Sequence, residues 1–204
     1  LLNIIIGIIC LMSTTQSLPS KIALMKGGIG AGLMGGFALF SSFFAIDQML
    51  DIPAGTFYKT IGVTMGVDET SAIAVGFLAH MGVAALIGAM YFLASNIWRF
   101  FRLVTVPKAI ITGVWTGLIV FTLAFLPIHM FVMTPMMEVE LIITDVSKFD
   151  LEQQKALATL LYESDKIYIN ALILHIIYGA IAGFVGGCIM HEDYKGVKRI
   201  GGFW

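Results

Sequence analysis

Four long apolar stretches, separated by short polar ones, occupy most of this 204-residue chain. They run near 25–48, 71–95, 109–134 and 168–190. Each reaches the roughly 20 residues of helix that cross a hydrocarbon core about 30 Å thick. Within lipid every backbone N–H and C=O has to find its partner in the segment itself, so the stretches are helices. The pattern predicts an all-α polytopic membrane bundle of four transmembrane helices. A further apolar piece, 1–12, covers only about 18 Å as a helix, and the polar Ser13-Thr14-Thr15-Gln16-Ser17 follows it. Residues 1–20 read either as a signal-like segment or as a piece lying against the bundle. A further crossing arises only if residues upstream are missing from this chain.

The same pattern occurs twice. Sliding the first stretch onto the third by 82 positions puts Lys26 on Lys108, Gly35 on Gly117, Phe43 on Phe125 and Pro53 on Pro135. The second stretch carries Ala72, Gly76, His80, Ala84 and Gly88 at intervals of four, and the fourth carries Ala171, His175, Gly179 and Gly183. One helix hairpin used twice accounts for both. The chain then divides into an N-terminal segment (1–20), repeat 1 (21–96), a basic-aromatic linker (97–108), repeat 2 (109–190) and a tail (191–204).

His175 follows His80 by 95 positions rather than 82, so repeat 2 holds an insertion of 13 residues, in the region of about 145–166. There Asp150 and Gln153 form a capping box. It leads into a short amphipathic helix over 155–162, with Leu157, Leu160 and Leu161 on one side, lying on the outer face or on a partner. The residues after Pro53 (Phe57, Tyr58, Ile61) and after Pro135 (Val139, Leu141, Ile142) read as short segments folded back on the outer surface.

Small residues recur every four positions on three of the helices: Gly28, Gly32 and Gly36; Ala72, Gly76, Ala84 and Gly88; Gly179, Gly183 and Gly187. Lipid tails are as apolar as leucine, so helices gain little from hydrophobic contact in a bilayer. Close backbone approach at small residues supplies the packing instead. These stripes are expected to face other helices.

Composition agrees with this reading. The chain is 58% hydrophobic and 12% charged, against about 45–50% and about 25% in soluble domains. The net charge of −1 hides a sharp asymmetry. Lys21, Lys26, Arg99, Arg102, Lys108, Lys195, Lys198 and Arg199 fall at one end of the bundle, and eleven of the thirteen acids at the other. The positive-inside rule makes the basic loops and the C-terminus cytoplasmic and the acidic loops external, in a plasma membrane. Ile97-Trp98-Arg99-Phe100-Phe101-Arg102 reads as an anchor in the inner headgroup layer. It holds too few basic residues for nucleotide or anionic-lipid binding, and nothing points to nucleic acid. Cys10 and Cys188 read as small buried hydrophobes.

His80 and His175 lie on the small-residue stripes, about nine residues from the outer ends and so roughly 13 Å deep. Asp47 and His129 occupy equivalent positions near the outer ends of the first and third helices. Ionisable groups inside a membrane are costly and are usually paired or functional. Three readings stand open: the histidines lock helix pairs through hydrogen bonds to carbonyls or to Asp47; Asp47, His80, His129 and His175 hold zinc or copper; or they relay protons for transport. Met130 and Met133, with Met136, Met137 and Met49 nearby, add soft thioethers suited to Cu(I). No metal spacing such as His-x3-His or Cys-x2-Cys occurs, and no catalytic triad, Walker loop, haem or iron–sulfur pattern.

The Gly-rich first helix and the run His175-x2-Tyr178-Gly179-x3-Gly183 resemble uncharacterised duplicated four-helix membrane proteins of archaea and bacteria. The resemblance covers 21–190. It implies a fold and no agreed activity. Val83 stands where repeat 1 would carry Tyr178, which suggests that the tyrosine is not required for packing. The expected role is an accessory or scaffolding subunit of a larger membrane complex, such as a respiratory assembly or a copper-dependent membrane monooxygenase, without independent catalysis. A small oligomeric transporter or channel and an outer-face copper- or zinc-binding protein are the alternatives.

Overall fold

The computed structural model describes residues 18–143, 151–162 and 164–194. Among these residues the regular structure is all helical. The elements are α1 (Lys21–Ala38), α2 (Phe40–Met49), α3 (Thr56–Thr64), α4 (Glu69–Ile97), a 3-10 turn (Arg99–Phe101), α5 (Val106–Val120), α6 (Leu126–Ile128), α7 (Thr134–Ile143), α8 (Leu151–Tyr162) and α9 (Ser164–Met190). Four stretches are long and apolar enough to cross a membrane: Lys21–Met49, Thr70–Ile97, Val106–Val139 and Asp165–Met190. The protein is a multi-pass membrane protein of the all-α class.

Capping explains where the spans start. Ser20 Oγ accepts from the Ala23 amide, Asp68 Oδ1 from those of Thr70 and Ser71, and Thr105 Oγ1 from that of Lys108. Each takes up an amide that the first turn of a helix leaves unpaired. Outward faces are covered by side chains such as Leu78, Leu86, Leu123, Phe131 and Phe184, as a lipid solvent requires.

The hairpins close backbone to backbone. A Cβ on Gly28 would strike the Gly88 carbonyl, one on Gly32 the Ala84 carbonyl, and one on Gly36 the Ala84 side chain. In repeat 2 a Cβ on Gly113 would strike Gly179, one on Gly117 would strike His175, and one on Gly183 would strike Ala109, while Gly187 lies on Val106. The stripes therefore face protein as expected. Gly113 and Gly117 belong to them as well, following Ala109 at the same interval of four.

The seams correct the alignment of the repeats. Gly32 lies between Ala84 and Gly88 as Gly113 lies between Gly179 and Gly183. That is an offset of 81 in the first and third spans, whereas Phe43 and Phe125 still correspond at 82. The additional residue is absorbed in a π-turn, Phe121–Phe125, where the Leu126 amide reaches back five residues to the Phe121 carbonyl. A second π-turn, His129–Met133, closes the same way from Thr134 to His129. Each closing residue precedes a proline, Pro127 or Pro135. A proline ring inside a helix collides with the carbonyl four residues back and lacks the N–H that would bond it. Widening the turn relieves both problems. Consequently Lys26 and Gly35 are not the counterparts of Lys108 and Gly117. Lys26 is exposed, and Lys108 is buried with its ammonium on the Arg99 carbonyl at 3.1 Å.

The repeats join through α1 and α9. The ring of Tyr178 fills the space left by Gly35, and its hydroxyl donates to the Ala84 carbonyl at 2.6 Å. On the other side Tyr91 reaches α5, donating to the Ala109 carbonyl at 2.7 Å beside Thr112 Oγ1. Tyr178 therefore spans the two repeats, a task with no equivalent inside repeat 1. Val83 faces outward there, so its presence says nothing about whether Tyr178 is needed.

The two outer segments differ in kind. In repeat 1 the segment is α3, laid tightly on the acidic end of α4: Gly62 meets the Ala72 carbonyl, and Gly76 meets that of Tyr58. Gly76 thus serves α3 rather than a membrane span. In repeat 2 the corresponding residues continue the third span as α7. Ile167 and Ala171 stand where repeat 1 has Ala72 and Gly76, too large for the same backbone contact. The insertion instead supplies α8, whose Ala156 and Leu160 pack with Leu50, Ile52, Met133, Met137 and Ile167. The capping box at Asp150 and the signal-like segment with Cys10 lie outside the described residues. Cys188 is exposed rather than buried.

Candidate functional site

The polar residues of the acidic half gather in two aromatic nests, one per repeat. In repeat 1, Phe43 and Tyr58 pack on each other and on His80, with Phe57, Phe40 and Phe77 around them. In repeat 2, His129 lies parallel to Phe125 at 5.4 Å, Tyr168 stands edge-on to His129 at 5.3 Å, and His175 rests against Phe121 and Phe125.

Asp47 has a structural task. Only 2% exposed, it accepts the Gly55 amide at 2.8 Å, with the Thr56 and Phe57 amides next in line. Gly55 is the N-cap of α3, and Thr56 and Phe57 carry its first amides. Gly55 sits in the left-handed region at φ 90°, where a missing Cβ permits the turn. A carboxylate on a helix N-terminus meets both unpaired amides and the positive end of the helix dipole. Asp47 therefore caps α3 from a neighbouring span.

The histidines differ among themselves. His175 Nδ1 bonds the Ala171 carbonyl at 2.7 Å, one turn back in its own helix. His129 is 3% exposed, and among the described residues neither of its ring nitrogens has a hydrogen-bond partner. The Tyr58 hydroxyl is likewise buried and unpartnered. Burial, and then the nearby Asp47 charge, push that phenol above its ordinary range.

The expected metal set does not come together. Among the described residues no three His, Cys, Asp or Glu side chains meet as a metal cluster. Asp47 is directed at amides, Met130 is half exposed, and Met133 lies in the apolar cluster beneath α8. A crevice between α4, α5 and α9, lined by Ile87, Tyr91, Thr116 and Tyr178 among others, holds no space for a water molecule.

The arrangement can therefore pack, cap and orient helices. Sequence reasoning missed Tyr58, Tyr91 and Tyr178 as interior anchors. Their signal was weak: single aromatics with a polar tip inside apolar runs.

Fold and interior define a multi-pass membrane protein built around glycine seams, with four candidate spans among the described residues. No family model, curated protein or solved structure matches the chain.

Proposed function

We propose that this chain is an accessory or scaffolding subunit of a larger membrane complex, holding neighbouring subunits rather than catalysing a reaction itself. The observation that carries this reading is a pair of glycines on the outside of the bundle. Gly30 and Gly82 lie within membrane spans, yet none of the described residues stands within 4 Å of where their Cβ atoms would be. Glycine in a membrane helix is useful where another backbone comes close, and among the described residues no backbone of this chain does so at these two positions. A helix of a neighbouring subunit supplies the missing contact.

The case for a copper-dependent host rested on the His and Met residues acting as one cluster, so a respiratory assembly is the first host to test. The membrane is the plasma membrane in this reading, with the basic end in the cytoplasm. Purification of the native chain in mild detergent tests the proposal. Defined membrane subunits should co-purify, and Gly82→Leu or Gly30→Leu should release them while the chain stays folded. A stable lone monomer from native membranes would reject the reading.

A further inference from the structure

We propose that residues 1–12 fold back as a helix antiparallel to α1 and fill the groove between α1 and α4, on the flank away from α9. The segment from Leu1 to Met12 is apolar, and residues 1–20 hold no charged side chain. No charge therefore opposes its entry into hydrocarbon, where a backbone has to be helical. Only eight residues, 13–20, connect the segment to α1. A connection this short makes two helices antiparallel neighbours.

The side of α1 that the segment takes follows from where the chain enters. The Asn96 side-chain amide donates to the Pro19 carbonyl at 2.8 Å, and the Tyr194 hydroxyl donates to Asn96 Oδ1 at 3.0 Å. The chain therefore arrives beside the end of α4. Asn96, Leu93, Ala89 and Leu86 follow one another at steps of three and four, so they share one face of that helix. Ala89 forms the floor of the groove, since a Cβ on Gly28 would strike its backbone. Met25 and Ile29 stand on α1 three residues before Gly28 and one after it. Gly27 and Gly35, each one residue before a seam glycine, face Met190 and Tyr178 of α9, so Ile29 borders the opposite flank. Met25, Ile29 and Leu86 are exposed, and the about 18 Å of helix in residues 1–12 is long enough to cover them. Gly82 continues the same face of α4 about 22 Å from Ile97, beyond the reach of residues 1–12, and stays open to a neighbouring subunit.

The test uses the full chain in liposomes with Cys188→Ser, which leaves Cys10 as the sole thiol. A second cysteine is then added as Met25→Cys, as Leu93→Cys or, on the exposed side of α5, as Trp115→Cys. A thiol cross-linker reaching about 8–10 Å, the spacing of packed helices, should join Cys10 to positions 25 and 93 within one chain and not to position 115. Asn96→Ala frees the Pro19 carbonyl and should slow those links by about fivefold, the worth of one hydrogen bond. A benzophenone attached to Cys10 needs no added cysteine, and should insert into α1 or α4 of the same chain when read by mass spectrometry. Links between chains would give the groove to a second copy, and insertion into lipid alone would give it to lipid. Either result would overturn the proposal, as would equal linking to positions 25, 93 and 115. Linking indifferent to Asn96→Ala would overturn the clasp on Pro19 as the guide.

Discussion

His80 meets the ring of Phe43 nearly edge-on, with centroids 5.0 Å apart, and His175 meets Phe125 at 5.4 Å in the second repeat. The same pair recurs although the glycine seams beneath it are one residue out of step. The π-turn ahead of Pro127 reconciles the two, letting the seam and the aromatic pair each keep their partners. Position 45, where repeat 1 corresponds to Pro127, is alanine. The first span absorbs no additional residue, and at Leu39 its turn tightens instead, with the Ser42 amide on the Leu39 carbonyl.

Seam glycines and outward glycines should respond oppositely to bulk. Gly113→Leu drives a side chain into the Gly179 backbone, which no rotamer change can relieve. The expected loss exceeds the about 1–3 kcal/mol typical of an overpacked core, and the variant should fail to give a single species in size-exclusion chromatography. Gly82→Leu points into open space and should leave the unfolding midpoint in detergent within about 0.5 kcal/mol of the native protein. Equal damage from both would mean that the seam is not where the helices close.

Asp47 should act locally, through α3. Asp47→Ala removes the acceptor from the Gly55 amide and should weaken that element by about 0.5–2 kcal/mol, the usual worth of a helix cap. Asp47→Asn keeps an acceptor and should lose less. Amide hydrogen exchange over 55–64 reads the difference directly. The Ala variant should exchange faster there and at native rates in α9. Accelerated exchange throughout the bundle would give Asp47 a wider role than capping.

The outer cap should also respond to acid. Lys155 bonds the Asp51 carboxylate, and that bond followed by its positive charge holds the Asp51 pKa below its ordinary value. A carboxyl depressed in the folded state contributes stability above its unfolded pKa of about 3.9. That contribution is lost as pH falls through the lower folded value. The distance between spin labels at Met65 and Glu152 should therefore stay constant from neutral pH to about 5 and broaden only below about 4. Asp51→Asn should remove the acid response that this pair contributes. Broadening that begins near neutral pH would implicate another group.

Much of the bundle was legible because its causes are periodic. Apolar run length located the four spans to within a few residues, and the interval of four found Gly28, Gly32, Gly88 and Gly183. What escaped depends on non-periodic contacts. Nothing in the spacing shows that Asp47 reaches forward eight residues to cap α3. Pro127 was visible as a break in the third span, but its effect on register appears only when the seams are compared. The grouping of the metal candidates depends on the same kind of contact. Equivalent depth placed Asp47, His80, His129 and His175 at one level, whereas contact divides them between two aromatic nests and gives Asp47 amide partners.

His129 offers the sharpest remaining test, because its burial is uncompensated. Among the described residues neither ring nitrogen has a partner, and leaving a buried polar group unsatisfied costs about 1–3 kcal/mol. Phenylalanine keeps the parallel contact with Phe125 and the edge contact with Tyr168 while removing both nitrogens. His129→Phe should therefore raise the unfolding free energy in detergent by about 1 kcal/mol or more. His129→Asn, which keeps polarity and loses the ring, should lower it. Addition of a chelator should change neither the native protein nor the variant. If His129→Phe is instead destabilising and chelation weakens the native protein to the same extent, the imidazole holds a ligand and the apolar account of this nest is wrong.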